Sequence, residues 1–226
     1  MKISIITLFP EVFEPVLNSS ILKRAQAKDK ISFELINLRN FGEGVHQVVD
    51  GRPYGGGPGM LLRADILAKA INSVKKKKSH VILTSASGKP YLQKDAQRLS
   101  KLSHITIICG HYEGIDERFI GQYVDEEFSI GDFVLTGGEV PAMAIADSIV
   151  RLIPGVLKKS EAIVEESFTN PDLLEYPQYT RPDTFEGKGV PEILLSGNHQ
   201  AVDKWRAEQA KEKTKKMRPD LFKKLN

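Results

Sequence analysis

An α/β fold organised around a mostly parallel sheet is what this sequence predicts, and three observations predict it. Short apolar runs alternate with stretches of helical spacing from the N-terminus through residue 150, the pattern of successive strand and helix units. Glycine concentrates just after the predicted strands, where open α/β sheets hold ligands. The chain has 226 residues, 41% apolar and 27% charged, enough to bury a sizeable core as one large domain or a main domain with a small appendage.

Residues 3–8 are a first strand, followed by helical spacing over residues 21–28. Residues 31–38 alternate apolar and polar side chains as a half-buried strand does. Helical spacing returns over residues 63–78, with Ile66, Leu67, Ala70, Ile71 and Val74 on one face. Its last turn is the run Lys75 to Lys78, where cations complement the helix dipole. Residues 81–84 form a short buried strand, 93–102 a helix and 105–109 a fully apolar strand, and a further strand ends at Ser129. Residues 140–153 follow as a helix with Pro141 in the first turn, where a missing N–H costs nothing.

The pattern then breaks. Residues 158–182 are polar and turn-forming, with Asn170-Pro171-Asp172 and Tyr176-Pro177, and read as a linker. Asn198 is the N-cap of a helix that runs to about Lys216 and carries Ala201, Val202, Trp205 and Ala210, and Pro219 opens a short final segment. The C-terminal part is therefore a small helical domain.

Composition excludes several classes. Cys109 is the only cysteine, so there is no intramolecular disulfide framework and no cysteine-cluster zinc site, and a reducing cytosol suits the chain. Cys109 itself reads as a buried core residue. His80, His104 and His199 have no metal-ligand spacing. The N-terminal apolar run is followed by Pro10, Glu11 and Glu14 rather than a cleavage site, and no stretch reaches the roughly 18 apolar residues of a membrane span. A soluble cytoplasmic protein with no membrane contact is expected. Charge is asymmetric: residues 201–226 carry nine basic and four acidic groups, a net of +5, leaving residues 1–200 at −2. Two readings of that tail stand side by side, a contact to nucleic-acid phosphates and a solvated Lys-rich helix.

The glycine segments carry the chemistry. Gly55-Gly56-Gly57-Pro58-Gly59 lies in a long loop after the second strand, and so much glycine costs conformational entropy that no packed element requires. Neither G-x-x-x-x-G-K-[ST] nor a G-x-G-x-x-G between strand and helix occurs, which disfavours an NTPase and a nicotinamide dehydrogenase. Three strand ends, over residues 83–88, 109–114 and 129–138, can line one pocket whose backbone groups hydrogen-bond the edge of a flat heterocycle. Ile130, Leu135 and Pro141 would offer it apolar faces.

Literal strings add a resemblance that covers nearly the whole chain. Arg52-Pro53-Tyr54-Gly55-Gly56-Gly57-Pro58-Gly59-Met60, Gly110-His111-Tyr112-Glu113-Gly114-Ile115-Asp116-Glu117-Arg118 and Ser129-Ile130-Gly131-Asp132-Phe133-Val134-Leu135-Thr136-Gly137-Gly138-Glu139 belong to it. So do Arg151-Leu152-Ile153-Pro154-Gly155-Val156-Leu157, Tyr176-Pro177-Gln178-Tyr179-Thr180-Arg181-Pro182, Leu194-Leu195-Ser196-Gly197-Asn198-His199 and Arg218-Pro219-Asp220-Leu221. Together they resemble the bacterial tRNA (guanine-N1)-methyltransferase family, TrmD. The resemblance implies a SPOUT-type parallel sheet with a deep C-terminal trefoil knot, plus a small helical C-terminal domain. It implies a knotted catalytic domain over residues 1–157, a linker over 158–175 and a tRNA-binding domain over 176–226. The implied reaction is methyl transfer from S-adenosylmethionine to N1 of guanosine 37 of tRNA, 3′ of the anticodon, by a homodimer with active sites at the subunit interface.

By the same resemblance the cofactor is held by Leu83, Thr84, Ser85, Ala86, Gly110, Tyr112, Glu113, Ser129, Ile130, Gly131, Asp132, Phe133, Val134, Leu135, Gly137, Gly138 and Pro141. His46, Asp50, Arg52 and Gly59 fall near the tRNA or the target base. Attack by N1 on an activated methyl requires removal of the N1 proton and a cation at O6. Arg151 matches the family arginine at O6, a group that stays charged and donates in a plane. The family base is an Asp fifteen positions later, where this chain has Glu166. The segment Thr169-Asn170-Pro171-Asp172 is one residue longer than in the family, which keeps Asp172 as an alternative base. His111 stands where the family often has another basic residue, and Ala86 where Pro is common. Chemistry with and without Mg2+ both fit. The residues by themselves also allow a ribose 2′-oxygen methyltransferase or a non-catalytic RNA-binding protein.

Overall fold

The computed structural model describes residues 1–74, 79–157, 166–169 and 173–223. The chain divides into two units, Met1–Lys158 and Lys159–Asn226. In chain order the first unit holds β1 (Lys2–Thr7), α1 (Glu14–Leu17), α2 (Ser20–Ala27), β2 (Ser32–Asn37), β3 (Asp50–Gly51), β4 (Leu61–Leu62) and α3 (Ala64–Val74). It continues through β5 (His80–Pro90), α4 (Gln93–Leu99), β6 (His104–Cys109), α5 (Glu117–Tyr123), β7 (Glu126–Ser129) and α6 (Glu139–Val150).

Five of these strands form one sheet in the order β2-β1-β6-β5-β7, and every pairing in it is parallel. A parallel sheet is covered on both faces, so its central strands are apolar throughout. β6 shows this: all six of its residues are buried. Ile3, Ile5, Ile82, Ile105, Ile107 and Phe128 pack with residues of α2, α4 and α6 in one cluster. Ile6, Val81, Leu83 and Ile108 pack with α3 and Phe119 of α5 in the other. Fully burying each such side chain contributes roughly 1.5–3 kcal/mol. The two faces thus fix the sheet between two helical layers.

The observed α/β class with a parallel sheet is the one the sequence predicts. Boundaries moved where local chemistry was ambiguous. The helix expected over residues 93–102 ends at Leu99, and that expected over 140–153 ends at Val150, three residues before Ile153 and the following Pro154. Of the helix expected over 63–78, Ala64–Val74 is observed, and Lys75 to Lys78 lie outside the described residues. α5 carries no forecast: seven residues with Gly121 inside are too short and too weak a helix former for periodicity to register. The glycine-rich loop joins β3 to β4, a two-stranded antiparallel ribbon with only two residues per strand.

β5 is the least regular strand. It pairs with β7 twice, Thr84 and Lys89 both standing opposite Phe128, with residues 85–88 leaving the ladder between them. Glu126, at the start of β7, gathers three nitrogen partners. His80 Nε2 lies 2.5 Å from Glu126 Oε1, and Lys89 Nζ and Arg98 Nη2 lie 2.5 and 2.8 Å from Oε2.

The second unit contains β8 (Thr184–Phe185), β9 (Lys188–Gly189), α7 (His199–Met217) and α8 (Pro219–Phe222). Asn198 caps α7 as predicted, its side chain accepting from Ala201 N–H at 3.2 Å. Tyr179 packs on Trp205 with ring centroids 6.3 Å apart, and the Arg206 guanidinium lies 4.9 Å from the Tyr176 ring centroid. Leu174 N–H donates to Thr214 Oγ1, which itself donates back to Ala210. Arg218 holds the Asp220 carboxyl down to about 2 by direct hydrogen bonding. Among the described residues no helix is long and apolar enough to cross a membrane.

Glu126 gives the fold a testable pH signature. Burial pushes its carboxyl up, but Lys89, His80 and Arg98 together outweigh burial and hold it below its usual value of 4.5. A depressed carboxyl contributes stability above the unfolded value that is lost as pH falls through the folded one. The expected outcome is that wild type exceeds Glu126→Gln in urea stability at about pH 6, and that the gap narrows by about pH 3. An equal gap at both pH values would mean that the carboxylate charge is not what these partners stabilise.

Candidate active site

β6, β5 and β7 are consecutive in the sheet, so their C-terminal ends lie side by side and the segments leaving them meet. Those segments surround one cavity of about 650 Å³. Leu83, Thr84, Ser85 and Ala86 line it from β5, and Gly110, Tyr112 and Glu113 from the segment after β6. Ser129, Ile130, Gly131, Phe133, Val134, Leu135, Gly137 and Gly138 line it from the segment after β7, and Pro141 from α6. Of the residues expected to hold a cofactor, Asp132 alone is not on this wall and is exposed. The structure also places Glu117 and Ile120 on the wall, which sequence reasoning missed together with the helix α5 that carries them. Glu127, beside Phe128 on β7, is another lining residue without a forecast.

The cavity is held from within by backbone. Gly138 N–H donates to Gly110 O at 2.7 Å, and Thr84 Oγ1 lies 3.2 Å from both Gly138 O and Ile108 O as donor. A Cβ on Gly138 would stand 2.1 Å from Thr84 Oγ1, 2.7 Å from Gly110 N and 2.9 Å from Cys109 Cα, so only glycine fits between the ends of β5 and β6. The Ser129 hydroxyl donates to Gly131 O and accepts from Gly131 N–H, which turns the chain back over the cavity. The Gly-rich loop also reaches this site. Glu113 N–H donates to Met60 O at 3.0 Å, and a Cβ on Gly59 would lie 2.2 Å from Glu113 Cγ.

Electrostatics distinguish the cavity further. Among the described residues lining it are the carboxylates Glu113, Glu117 and Glu127, and no Lys or Arg. Such a wall favours a ligand carrying positive charge and disfavours one carrying phosphates.

Asp50 and Arg52 line a second cavity of about 760 Å³ with Tyr54, Arg63, Asp116 and Arg118. Arg63 there is paired with Glu43 and Asp65, at 2.7 and 2.8 Å, and Arg118 with Asp116 at 2.7 Å. His46 lines neither cavity; it sits in the turn between Glu43 and Val48, which pair as an isolated bridge. The four residues expected near the substrate are therefore spread over the second cavity, a turn and the Glu113 contact. Arg151 follows α6 as its C-cap in the first unit. Glu166 belongs to the second unit, where its carbonyl accepts from Thr169 N–H at 3.2 Å. Asp172 lies outside the described residues.

Residues 1–224 match the family model described as tRNA (Guanine-1)-methyltransferase TrmD. The chain belongs to that family. It is 51% identical to the tRNA (guanine-N(1)-)-methyltransferase of Dictyoglomus turgidum over all of this chain and 91% of that protein. The enzyme of the same name from Bacillus pumilus is 50% identical over 98% of this chain and 92% of its own length. That of Mycoplasmopsis synoviae is 48% identical over all of this chain and 98% of its own.

The wedge at Gly138 is testable by one methyl group. Gly138→Ala must displace backbone at Gly110 or Cys109, and overpacking of this kind costs about 1–3 kcal/mol. Urea unfolding should show that loss together with weakened ligand binding in the cavity; a variant as stable as wild type would mean that the strand ends separate freely.

Proposed function

We propose that this chain transfers the methyl group of S-adenosylmethionine to N1 of guanosine 37 of tRNA, 3′ of the anticodon. The carrying observation is the cavity over β5, β6 and β7, of a size for a nucleoside, with glycine backbone and apolar side chains for a heterocycle and three carboxylates but no Lys or Arg among its described lining residues. Those groups fit a cofactor that joins an adenine nucleoside to a positively charged sulfonium. When bound there, S-adenosylmethionine supplies a methyl group already activated for in-line displacement. Leu83 to Ala86, Gly110 to Glu113 and the segment from Ser129 to Gly138 would hold it.

The remaining work falls to side chains of this chain. Arg151 donates to the guanine O6 and stabilises the charge that develops there as N1 attacks. The Glu166 carboxylate accepts the N1 proton, so that the C–N bond forms as the S–C bond breaks and the proton leaves to the protein. Glu in place of the family Asp keeps the carboxylate and adds one methylene of reach. His46, Asp50, Arg52 and Gly59 serve the tRNA side. Among the described residues no group of three or more His, Cys, Asp or Glu is placed to hold a metal ion, and no step is assigned to Mg2+.

Residues 1–157 form the knotted SPOUT catalytic domain, 158–175 the linker and 176–226 the tRNA-binding domain. The wedging of Gly138, which follows β7, between the ends of β5 and β6 supports a threaded chain. Homodimerisation with composite active sites is supported by apolar residues left uncovered beside the cavity, Val134 at 86% exposed and Val140 at 58% among them. The basic helix α7 supports phosphate contact, since only Ala210 and Thr214 of its 19 residues are buried. A cytoplasmic location follows from action on tRNA.

Two measurements test this function. Mass spectrometry of digested tRNA, after incubation with labelled cofactor, should find the new methyl on guanine N1, and Glu166→Gln should abolish the signal without changing cofactor affinity. Methyl on a ribose oxygen rejects the reaction, and full turnover by Glu166→Gln moves the base to another residue such as Asp172. Separately, Lys211→Gln with Lys215→Gln should flatten the plot of log affinity for tRNA against log salt by about one unit per lost phosphate contact. An unchanged slope would make the helix a solvated surface.

A further inference from the structure

A buried carboxylate that this mechanism does not use lies just behind the cofactor cavity. Glu139, the first residue of α6, is buried, as is Thr7 at the end of β1. Thr7 Oγ1 donates to Glu139 Oε1 at 2.8 Å and accepts from Phe9 N–H at 3.0 Å, so the hydroxyl is engaged in both directions. Neither residue lines the cavity. Both act on the residues that do. A Cβ on Gly137 would stand 2.4 Å from Glu139 Oε2 and 2.9 Å from His111 Nε2, so the Gly137 backbone is confined between carboxylate and imidazole. His111 and Gly137 also pair as an antiparallel bridge, while Gly138 is fixed by Gly110 and Thr84.

Burying a carboxylate is costly unless it is hydrogen-bonded, and an apolar side chain of similar length would fill the space without that cost. What the carboxylate adds is direction. β1 lies in the interior of the sheet, between β2 and β6, so Thr7 is a fixed reference point. Through it Glu139 is held in one rotamer, and the Gly137-Gly138 turn is held with it.

We propose that Glu139, anchored by Thr7, is a positioning residue for cofactor binding, which it serves by fixing the Gly137-Gly138 wall of the cavity. The proposal rests on the reading of that cavity as the cofactor site. S-adenosylhomocysteine is the suitable probe because its sulfur is uncharged, so its affinity reports the shape of the wall rather than the charge of Glu139.

Calorimetry on the full chain separates the roles by substitution chemistry. Thr7→Val keeps the volume and loses the hydroxyl; Thr7→Ser keeps the hydroxyl and loses the methyl. Positioning predicts about tenfold weaker S-adenosylhomocysteine binding for Thr7→Val and near wild-type binding, within about twofold, for Thr7→Ser. A packing role predicts the reverse order, and that order overturns the proposal. Glu139→Gln, which keeps an acceptor for Thr7, should bind within about twofold of wild type, and Glu139→Ala about tenfold more weakly. In turnover, KM for S-adenosylmethionine should rise more than kcat falls in Thr7→Val. Wild-type affinity in both Thr7→Val and Glu139→Ala also overturns it. Failure of the wild-type chain to bind the probe rejects the cofactor reading itself.

Discussion

The position of one glycine organises this molecule. The Gly138 backbone occupies the space between the ends of β5 and β6, bonded to Gly110 on one side and to the Thr84 hydroxyl on the other. Without that close approach the segment after β7 would not return across the sheet, and α6 would not start where Glu139 meets Thr7 of β1. The cavity is a consequence of the same contact, because three chain segments that end separately are held against one another there. The wall is therefore set by backbone and by the parallel sheet beneath it, which leaves its side chains available to choose the ligand.

That choice is electrostatic as much as steric. Phosphate-binding α/β sites often set Lys or Arg against the anion, whereas the described residues of this wall include three carboxylates and no Lys or Arg. Behind the wall, burial pushes the Cys109 thiol well up, and the buried Glu139 pushes it further. A thiol kept protonated is a packing atom rather than a nucleophile. The sulfonium of the proposed cofactor is the charge that such a wall suits, while the nucleophile in the reaction is the guanine itself.

Legibility in the sequence followed the length and contrast of the signals. β6 was readable because a strand buried on both faces is an unbroken apolar run, and α3 because its apolar residues recur at helical spacing. α5 was not, and Ile120 of the cavity wall went unnoticed with it, while Glu117 stands in the string Gly110 to Arg118 without an assigned role. The literal strings hold the lining residues after β6 and β7, and the strand-end reading holds those of β5, while the way they converge is set by strand order, with β5 between β6 and β7. Asp132 illustrates the limit of a contiguous string, since its neighbours Gly131 and Phe133 face the cavity and it faces solvent. The Thr7 and Glu139 pair was invisible because its members are 132 positions apart and neither residue type is unusual where it stands.

The two carboxylates given roles in this reading have opposite requirements. A general base must reach a substrate proton and then release it, so it cannot be locked in a saturated network. Glu166 stands in the chain between α6 and α7, outside the regular elements. A positioning carboxylate must do the opposite, and Glu139 sits in the interior against a hydroxyl fixed to a central strand. Glu126 is a third kind, saturated by His80, Lys89 and Arg98 and thereby fastening β7 to the chain that pairs with it. Glu139 and Glu126 are the same side chain, and what separates anchor from fastener is the set of partners each is given, a hydroxyl on a central strand for one and three nitrogen groups on β5 and α4 for the other.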